Sequence, residues 1–473
     1  MENSRGNWSS NIGFLLAAIG SAVGLGNLWG FPYKMGANGG FAFLIVYLVL
    51  AAMVGFVIMV SEIAIGRKTG LGVVGAFREY SKRCKWVGFL GLIVPIMVMF
   101  FYSVLGAYCI EYIAINLGDL GFNALSASGG ELFEMMLTNP VGCIVFTFFF
   151  ILVCFMIVKS GISGGIEKFN KIGMPALFVL LVIVIIKSVS LPGASAGLEF
   201  MFKPDFTYLS QNFVKVLSVA GGQMFFSLSL AMGVMVTFGS YLGKGESITK
   251  NAAIITISDT LVAVMAGIAV LPAAFALGGE DAAMSGPKLL FITLQDVFNA
   301  MGDLIGPLFG VFFYTLVLLA ALSSAISLAE VPATMYVDNC HKKGKEPNRS
   351  KATFIVCAII FIGAVIVAAD GLGSNGLWVP FQDSLGVNGW NDCWLDFFDF
   401  ISEGVMMPLG ALFTSIIVGW IMKPDTVHEE VIQDGNKFTA YGFYKFCIRF
   451  FVPIAMIFIL IGQVDAFLGL GIF

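Results

Sequence analysis

The chain has 473 residues, of which 58% are hydrophobic and 12% are charged, and its mean hydropathy is +0.92. A soluble domain carries about 25% charged residues, so this composition excludes an ordinary water-soluble, disordered or disulfide-framed secreted protein. The formal charge of −4 provides no basic surface for nucleic acid. The composition predicts a polytopic membrane protein whose immediate partner is the lipid bilayer.

Eleven apolar segments follow one another along the chain. A helix of about 20 residues crosses the hydrocarbon core of a bilayer and satisfies its own backbone hydrogen bonds there. The segments lie at about 11–35, 40–66, 88–115, 141–159, 172–192, 212–240, 251–277, 305–337, 352–369, 395–421 and 440–465. The sequence therefore predicts an all-α integral membrane protein with eleven transmembrane helices.

The distribution of basic residues predicts the orientation of these helices. Lysine and arginine concentrate on the cytoplasmic side of membrane proteins. If the N-terminus is inside, all but five of the 26 lysines and arginines face the cytoplasm, and the five are Lys34, Lys187, Lys203, Lys215 and Lys288. Residues 1–10 are then a cytoplasmic segment, and eleven spans place the C-terminus outside.

Residues typical of enzyme active sites and of disulfide frameworks are scarce. Both histidines, His341 and His428, lie in polar segments, and no G-x-x-x-x-G-K-[ST] run indicates an ATPase. Of the eight cysteines only Cys393 is clearly outside, so we expect no disulfide framework. We expect neither an enzyme nor a nucleic-acid-binding protein, and the sequence indicates no obligatory protein partner.

Two spans are interrupted near their centres by glycine and polar residues. The first reads Gly20-Ser-Ala-Val-Gly-Leu-Gly-Asn27, and the sixth reads Gly221-Gly-Gln-Met-Phe-Phe-Ser-Leu-Ser-Leu-Ala-Met-Gly233. Glycine destabilises a helix interior by about 1 kcal/mol relative to alanine, and unwound backbone at mid-membrane is tolerated where it lines a cavity. For either span alone, close helix packing through small residues is an alternative explanation.

The places of the two interruptions favour a cavity. The first span opens one block of five spans, and the sixth opens the next block of five. Interrupted helices at corresponding places in two halves are typical of transporters with inverted repeats and a site at the membrane midplane. We predict a first five-helix repeat over 11–192, a second, inverted repeat over 212–421, and an extra helix over 440–465.

Several motifs resemble those of the neurotransmitter:sodium symporter family. They are Gly20-Ser-Ala-Val-Gly-Leu-Gly-Asn-Leu-Trp-Gly-Phe-Pro-Tyr33, Asn38-Gly-Gly40, Glu62 with Gly66-Arg67, Tyr102-Ser103, Gln223 to Ser229, and Ala320-Ala-Leu-Ser-Ser324. The resemblance covers spans one to ten and implies a leucine-transporter-type (LeuT-type) fold, with five plus five inverted helices and helices 1 and 6 broken at mid-membrane. It also implies that Glu62 supports the site from helix 2. Eleven helices are typical of bacterial members, which lie in the inner (cytoplasmic) membrane.

Asp259, within span seven, is a candidate functional residue because a charge inside a membrane is expensive. Na⁺ is a hard cation suited to oxygen ligands. The carbonyl of Ala22 and the side chains of Asn27 and Ser227 can complete a shell with Asp259, and the resemblance assigns these four residues to a first sodium site. The alternative is a carboxylic acid kept neutral by burial.

Ser323 and Ser324 are adjacent hydroxyls deep in span eight. Alone, such hydroxyls often bond the carbonyl one turn back. The resemblance instead implies a second sodium site, made by Gly20, Val23, Ala320, Ser323 and Ser324. Two Na⁺ ions are therefore expected.

The ends of the half-helices predict the kind of substrate. Free N–H groups and positive dipole ends suit a carboxylate, and free carbonyls suit an ammonium, so a zwitterionic amino acid fits. The resemblance implies a substrate site made by Ser21, Ala22, Leu25, Gly26, Val98, Tyr102, Phe226, Ser227, Ser229, Met232, Ser324 and Leu328. Methionine is flexible, and Ala325 adds space, so we expect a roomy apolar pocket for a hydrophobic or aromatic amino acid.

The sequence departs from the family at its outer gate. Many members carry an arginine at position 30 that pairs with an acidic residue of helix ten. Here position 30 is glycine, so Asp399, which matches the acid, cannot form that pair. At the inner end Arg5, Trp8, Tyr241 and Asp338 match the family's gate. For Arg5 and Asp338 the alternative is a pair of ordinary surface charges.

A second departure concerns chloride. Asp259 replaces the usual asparagine, and Ala263 occupies the position of a serine that helps to bind chloride in animal members. Tyr47, Gln223 and Ser227 of that chloride shell remain. A fixed carboxylate in a low-dielectric site can supply the negative charge permanently, so we expect no chloride requirement.

The resemblance thus implies a sodium-coupled secondary active symporter that imports a neutral amino acid by alternating access. The alternative that stays open is a transport-inactive amino-acid sensor on the same fold. An ion channel would need rings of charge or repeated filter carbonyls, and the sequence has neither.

Overall fold

The computed structural model describes residues 7–122, 127–283, 288–381 and 393–472. Within these ranges the regular elements are helices, and no β-strand occurs. Long apolar helices alternate with short connecting helices, and the long ones pack side by side into a bundle.

Nine of the described helices are long and apolar enough to cross a membrane without a break. They are Phe41–Thr69, Lys82–Leu120, Pro140–Val158, Ile162–Val189, Ile248–Ala276, Ile305–Lys342, Arg349–Asp370, Trp394–Ile421 and Tyr441–Leu468. The first predicted span is the bent pair Asn11–Ala22 and Gly26–Ala37, and the sixth is the pair Phe213–Ser227 and Val234–Gly239. Each of the eleven predicted segments therefore coincides with a helix or a broken helix.

Several connecting segments form short helices that the hydrophobic pattern does not reveal. They are Val73–Tyr80, Gly129–Leu137, Ala194–Phe202, Thr207–Gln211, Leu289–Asn299 and Pro424–Val431. Helices shorter than about 12 residues are marginal in isolation, so packing and local caps decide whether they form. Gly129–Leu137, for example, begins with a reciprocal capping box between Ser128 and Glu131.

The first span bends by 44° between Ala22 and Gly26. Val23 leaves the helical conformation, with φ −72° and ψ 98°, and its N–H still donates to the carbonyl of Ile19. The chain resumes as a π-helical turn over Gly26–Gly30 and then as helix Phe31–Ala37. The predicted interruption therefore exists, and it lies within Gly20–Asn27.

The sixth span unwinds completely between Ser227 and Val234. Ser229, Ala231 and Gly233 all have positive φ, at 51°, 59° and 73°, a conformation that only glycine adopts without strain. A carboxylate oxygen of Glu62, in span two, accepts a hydrogen bond of 2.8 Å from the N–H of Ala231. Because buried backbone donors need partners, Glu62 stabilises the unwound segment directly.

The two broken spans lie in the interior of the bundle. Residues 20–36 are all buried, as are residues 227–239. The outer surface belongs to other spans, which expose large apolar side chains such as Phe149, Ile172, Ile362 and Ile454. The division into repeats over 11–192 and 212–421, with an added helix over 440–465, stays a prediction.

Close contact between spans two and six depends on Gly66. A Cβ atom at this position would lie 2.0 Å from the carbonyl oxygen of Val236, a backbone atom that cannot move aside alone. We expect Gly66→Ala to lower stability by about 1–3 kcal/mol, the usual effect of overpacking. Thermal unfolding in detergent measures this change.

Gly118 provides the control, because no atom of the described residues lies within 4 Å of a Cβ placed there. Gly118→Ala should leave stability unchanged or raise it by up to about 1 kcal/mol through helix propensity. Equal melting temperatures for the two variants would contradict the close contact.

Candidate functional site

The breaks of spans one and six lie against each other and are joined by side-chain hydrogen bonds. The amide of Gln223 donates to the carbonyl of Gly26 at 2.6 Å. The hydroxyl of Ser229 donates to the carbonyl of Ser21 at 2.9 Å, and the two serine hydroxyls are 3.3 Å apart. These contacts satisfy backbone that no longer bonds within its own helix.

A buried cluster of oxygen and amide groups surrounds Asp259. Its carboxylate accepts from the Asn27 amide at 2.8 Å and from the Ser227 hydroxyl at 2.9 and 3.1 Å. The Tyr47 hydroxyl donates to it at 3.3 Å. Asn27 also accepts from the N–H of Gly24 at 3.0 Å, so one amide links the break in span one to the carboxylate in span seven.

Of the four residues predicted for the first sodium site, the structure joins Asn27, Ser227 and Asp259 directly. Ala22 is buried and ends the first half-helix of span one, next to the break. Gathered in this way, one carboxylate and several neutral oxygens match the ligand preference of a hard monovalent cation.

A second oxygen cluster joins span one to span eight. The Ser323 hydroxyl donates to the carbonyls of Ala320 and Val23, at 2.9 and 3.4 Å. The Ser324 hydroxyl lies 2.9 Å from the carbonyl of Ser21 and 3.5 Å from that of Gly20. The five residues predicted for the second sodium site therefore meet, and the carbonyl of Ser21 joins them.

These clusters contain oxygen ligands and lack soft donors. In the part of the chain that the structure describes, no three His, Cys, Asp or Glu side chains group to hold a metal ion. The cluster at Ser323 carries no formal charge, and the one at Asp259 carries one carboxylate. Neutral oxygens with at most one charge suit a weakly held monovalent ion better than a resident divalent metal.

Tyr102, in span three, packs beside the break in span one. Its hydroxyl accepts from the N–H of Leu25 at 3.0 Å, and its ring lies 6.2 Å from that of Phe226, measured between centroids. Gly24 packs so tightly here that a Cβ atom would lie 2.3 Å from the Ser324 hydroxyl and 2.6 Å from that of Tyr102. Tyr102 and Phe226 thus form one wall beside the break.

The other predicted substrate residues lie in the same buried interior. Gly26 packs against the Phe226 ring, where its Cβ would come within 2.8 Å. Val98, Met232 and Leu328 are all buried. Their contribution to selectivity stays a prediction.

The end of the bundle that carries the N-terminus, the predicted inner end, is closed by a network around Trp8 and Tyr241. The Trp8 indole donates to the carbonyl of Phe238 at 3.1 Å. Tyr241 contacts Thr334 at 2.8 Å and donates to Glu330 at 3.2 Å. Asp338 accepts from the N–H of Gly72 at 2.8 Å, and Arg5 lies outside the described residues.

Two members of this network, Glu330 and Arg349, were not predicted from the sequence. Glu330 is fully buried, and its carboxylate forms an ion pair with Arg349, which also donates to the carbonyl of Val158 at 3.1 Å. Glu330 lies inside the apolar segment 305–337, so its charge within a span was the signal that would have revealed it.

At the opposite end, the predicted outer end, position 30 and Asp399 form no ion pair, as expected from Gly30. A different pair lies there: the ammonium of Lys34 is 2.6 Å from a carboxylate oxygen of Glu403. Asp399 and Glu403 line the same small cavity. The distribution of basic residues predicted Lys34 only as one of five outside lysines, and no motif indicated Glu403.

Comparison with known proteins identifies the family. The model of the Sodium:neurotransmitter symporter family matches residues 5–124 and 138–471. The chain belongs to this family.

Known transporters are similar to this chain along nearly its whole length. It is 32% identical over 461 residues to the uncharacterized sodium-dependent transporter YhdH of Bacillus subtilis (strain 168), across 97% of each chain. It is 24% identical over 500 residues to the sodium- and chloride-dependent GABA transporter 2 of Mus musculus, across 95% of this chain and 78% of that one.

A solved structure extends the likeness to three dimensions. MhsT in complex with L-phenylalanine shares 34% identity and a TM-score of 0.86, over 97% of this chain and 100% of that one. This likeness confirms the LeuT-type, all-α membrane fold. The protein is a multi-pass, sodium-dependent membrane transporter of the symporter type and not an enzyme.

The network at the inner end makes a testable prediction about Glu330. Removing one partner of a buried ion pair leaves an uncompensated charge and is strongly destabilising. In Glu330→Gln the symporter should open more often at this end, which speeds hydrogen exchange of the amides in Asn11–Ala22 and Val234–Gly239 about tenfold. Mass spectrometry of the exchanged protein measures the rate.

Glu346→Gln is the matched control, because Glu346 is an exposed carboxylate in the nearby connecting segment. It should leave both exchange rates unchanged. Equal rates in the parent and in Glu330→Gln would contradict a closing role for the buried pair.

Proposed function

We propose that this symporter couples the inward movement of two Na⁺ ions to the import of one neutral, hydrophobic or aromatic amino acid, without chloride. One observation carries the proposal: the oxygen cluster around Asp259, the one around Ser323 and Ser324, and the wall formed by Tyr102 and Phe226 all meet at the break in span one. Ligands bound at these three places would all act on one short segment, Gly20–Asn27. We further propose that the protein lies in the inner membrane with its N-terminus inside and its C-terminus outside.

The chemistry of the central region favours an amino acid. The unwound segments bring backbone N–H and carbonyl groups to the centre of the bundle, and opposite dipole ends there suit a zwitterion. Tyr102, placed on the N–H of Leu25, can also donate its hydroxyl proton to a substrate carboxylate. The complex of MhsT with L-phenylalanine, at 34% identity, supports an aromatic or large apolar side chain, and the flexible Met232 gives room for one.

The geometry also supports a route for coupling. The Ser323 and Ser324 hydroxyls donate to carbonyls of span one, and a cation between them would attract the oxygen lone pairs instead. A Na⁺ ion at this place would hold spans one and eight together, while one at Asp259 would hold spans one and seven. Because Asn27 bonds both Gly24 and Asp259, the ion at Asp259 would fix the backbone against which Tyr102 and the substrate lie.

Chloride independence is supported by the donors that surround Asp259. Tyr47 and Ser227, which belong to the chloride shell in animal members, here donate to the Asp259 carboxylate. Ala263 is buried and offers no hydroxyl. A unit positive and a unit negative charge about 4 Å apart attract by roughly 4 kcal/mol at an effective dielectric of 20, so a permanent carboxylate can replace a bound anion.

Uptake of radiolabelled L-phenylalanine into proteoliposomes tests the proposal. An inward Na⁺ gradient should drive accumulation, and choline in place of Na⁺ should abolish it. Binding of the amino acid with no uptake would favour the sensor, and equal uptake in Na⁺ and choline would refute coupling.

Ser323 provides a test of the second sodium site. Ser323→Ala removes a hydroxyl ligand, and hydrogen bonds to charged groups contribute about 1.5–3 kcal/mol. The Na⁺ concentration for half-maximal uptake should rise about tenfold or more. Ser327→Ala is the control, since Ser327 is a buried serine one turn away whose hydroxyl donates to the carbonyl of Ser323 in its own helix. Similar Na⁺ dependence in both variants would exclude a ligand role for Ser323.

Replacing chloride by gluconate at constant Na⁺ tests the role of Asp259. Uptake by the unmodified protein should change by less than about twofold, because the carboxylate supplies the negative charge. Asp259→Asn combined with Ala263→Ser should weaken uptake in gluconate and restore it in chloride. A several-fold drop of the unmodified protein in gluconate would show that Asp259 does not replace the anion.

A further inference from the structure

The ion pair between Lys34 and Glu403 has no role in the ion and substrate sites described above. Lys34 lies in the second half of span one and Glu403 in span ten, at the predicted outer end. The ammonium and the carboxylate are 2.6 Å apart, and their side chains are only 11% and 7% exposed. We propose that this pair is the outer closing contact of the symporter, with each partner one helical turn along its own span from positions 30 and 399. The proposal rests on alternating access as the proposed function.

The surroundings of position 30 explain why the cation lies further along span one. A Cβ atom on Gly30 would lie 2.7 Å from the side-chain oxygen of Gln223, whose amide nitrogen bonds the carbonyl of Gly26 at 2.6 Å. A long side chain at position 30 would push Gln223 away from the broken segment. The sequence instead carries its cation four residues later, on the same face of the helix.

Span ten provides the partner one turn further along its chain than Asp399. Glu403 lies four residues after Asp399, within the π-helical stretch Phe400–Met406. Stretches of this kind occur often at functional sites because they change which side chains face a neighbouring helix. In the predicted orientation span one runs outward and span ten runs inward. Lys34 therefore lies one turn outward of position 30, Glu403 lies one turn inward of Asp399, and the long lysine side chain reaches the deeper carboxylate.

The groups around the pair hold it in place from several sides. The carbonyl of Lys34 accepts from the Asn38 amide at 2.7 Å, and the ammonium lies 6.0 Å from the Tyr33 ring centroid. Phe400 stacks on Phe467 of span eleven at 3.8 Å. A cavity of about 70 Å³ borders the pair; its polar lining residues are Lys34, Asp396, Asp399, Glu403 and Gln463.

Burial makes the strength of this pair depend on the state of the protein. An ion pair in water contributes about 0–1 kcal/mol, whereas the same charges attract more strongly where water is excluded. Opening the outer end would hydrate both groups and remove most of the attraction. The pair therefore favours the closed arrangement without holding the open one, as a closing contact must.

A cysteine placed at Val219 reports on this end, since Val219 lines the same cavity. The background carries Cys340→Ala, because Cys340 is the half-buried member of the eight free cysteines and the others are buried. A membrane-impermeant methanethiosulfonate reagent, added from outside to the full-length protein in liposomes, measures the rate of modification. This reading requires neither Na⁺ nor uptake, so a failure of the symporter proposal leaves it interpretable.

Lys34→Met and Glu403→Gln should each raise the rate of modification about tenfold, equivalent to about 1.4 kcal/mol. The charge-reversed protein, Lys34→Glu with Glu403→Lys, should return to within about twofold of the parent. Asp399→Asn should raise the rate of modification less than Glu403→Gln does. Lys203→Met, which changes an exposed lysine at the same end, is the matched control and should match the parent.

Unchanged rates in both single variants would overturn the proposal. A charge-reversed protein that is modified as fast as the single variants would also overturn it. That result would mean that the packing of the original side chains closes this end, and not the attraction between their charges. Size-exclusion profiles check folding. If neither single variant folds, the charge-reversed protein decides alone: parent-like modification supports the pair, and misfolding or fast modification refutes it.

Discussion

Backbone groups freed by breaking two helices at mid-membrane must find partners inside the protein, and the rest of the structure depends on this requirement. No water or lipid can replace those hydrogen bonds in the hydrocarbon core. The partners come from neighbouring spans: Glu62 for Ala231, Gln223 for Gly26, and Ser229 for Ser21. Each partner is itself a polar group that has to be buried, so the two breaks bring polar residues of spans one, two, three, six, seven and eight to one place.

The same requirement explains why sites for ions and substrate coincide with the breaks. A carbonyl that points away from its own helix and accepts one hydroxyl still has a lone pair for a cation. Gly20, Ser21 and Val23 present such carbonyls to Ser323 and Ser324. The hydrogen bonds that stabilise the protein without ligands thus occupy the positions that ligands would use. Replacing such a hydrogen bond by a contact to an ion requires only a small movement of the hydroxyl group.

The long apolar segments and the two glycine-rich interruptions could be predicted from the sequence because both are local. Eleven segments matched eleven helical paths, and residues from spans one, six, seven and eight met as the motifs implied. The short connecting helices could not be predicted, because helices of this length form only when one face packs against the bundle, and that packing is not visible in the sequence. Nor could the pairing of Glu330 with Arg349 or of Lys34 with Glu403, because partners so far apart in the chain are set by helix rotation and depth.

Both ends of the bundle use a buried carboxylate and a cation from a different helix, and this likeness has a physical reason. A closing contact must be strong when water is excluded and weak when it enters. An apolar contact weakens within about 1 Å of separation, whereas the attraction within an ion pair also depends on whether water has entered around the charges. Glu330 with Arg349 at one end, and Glu403 with Lys34 at the other, place that sensitivity on either side of the ion sites. Because the first span reaches from Trp8 to Lys34 through the break at Gly24, a cation bound beside Asn27 can influence both ends through one chain segment.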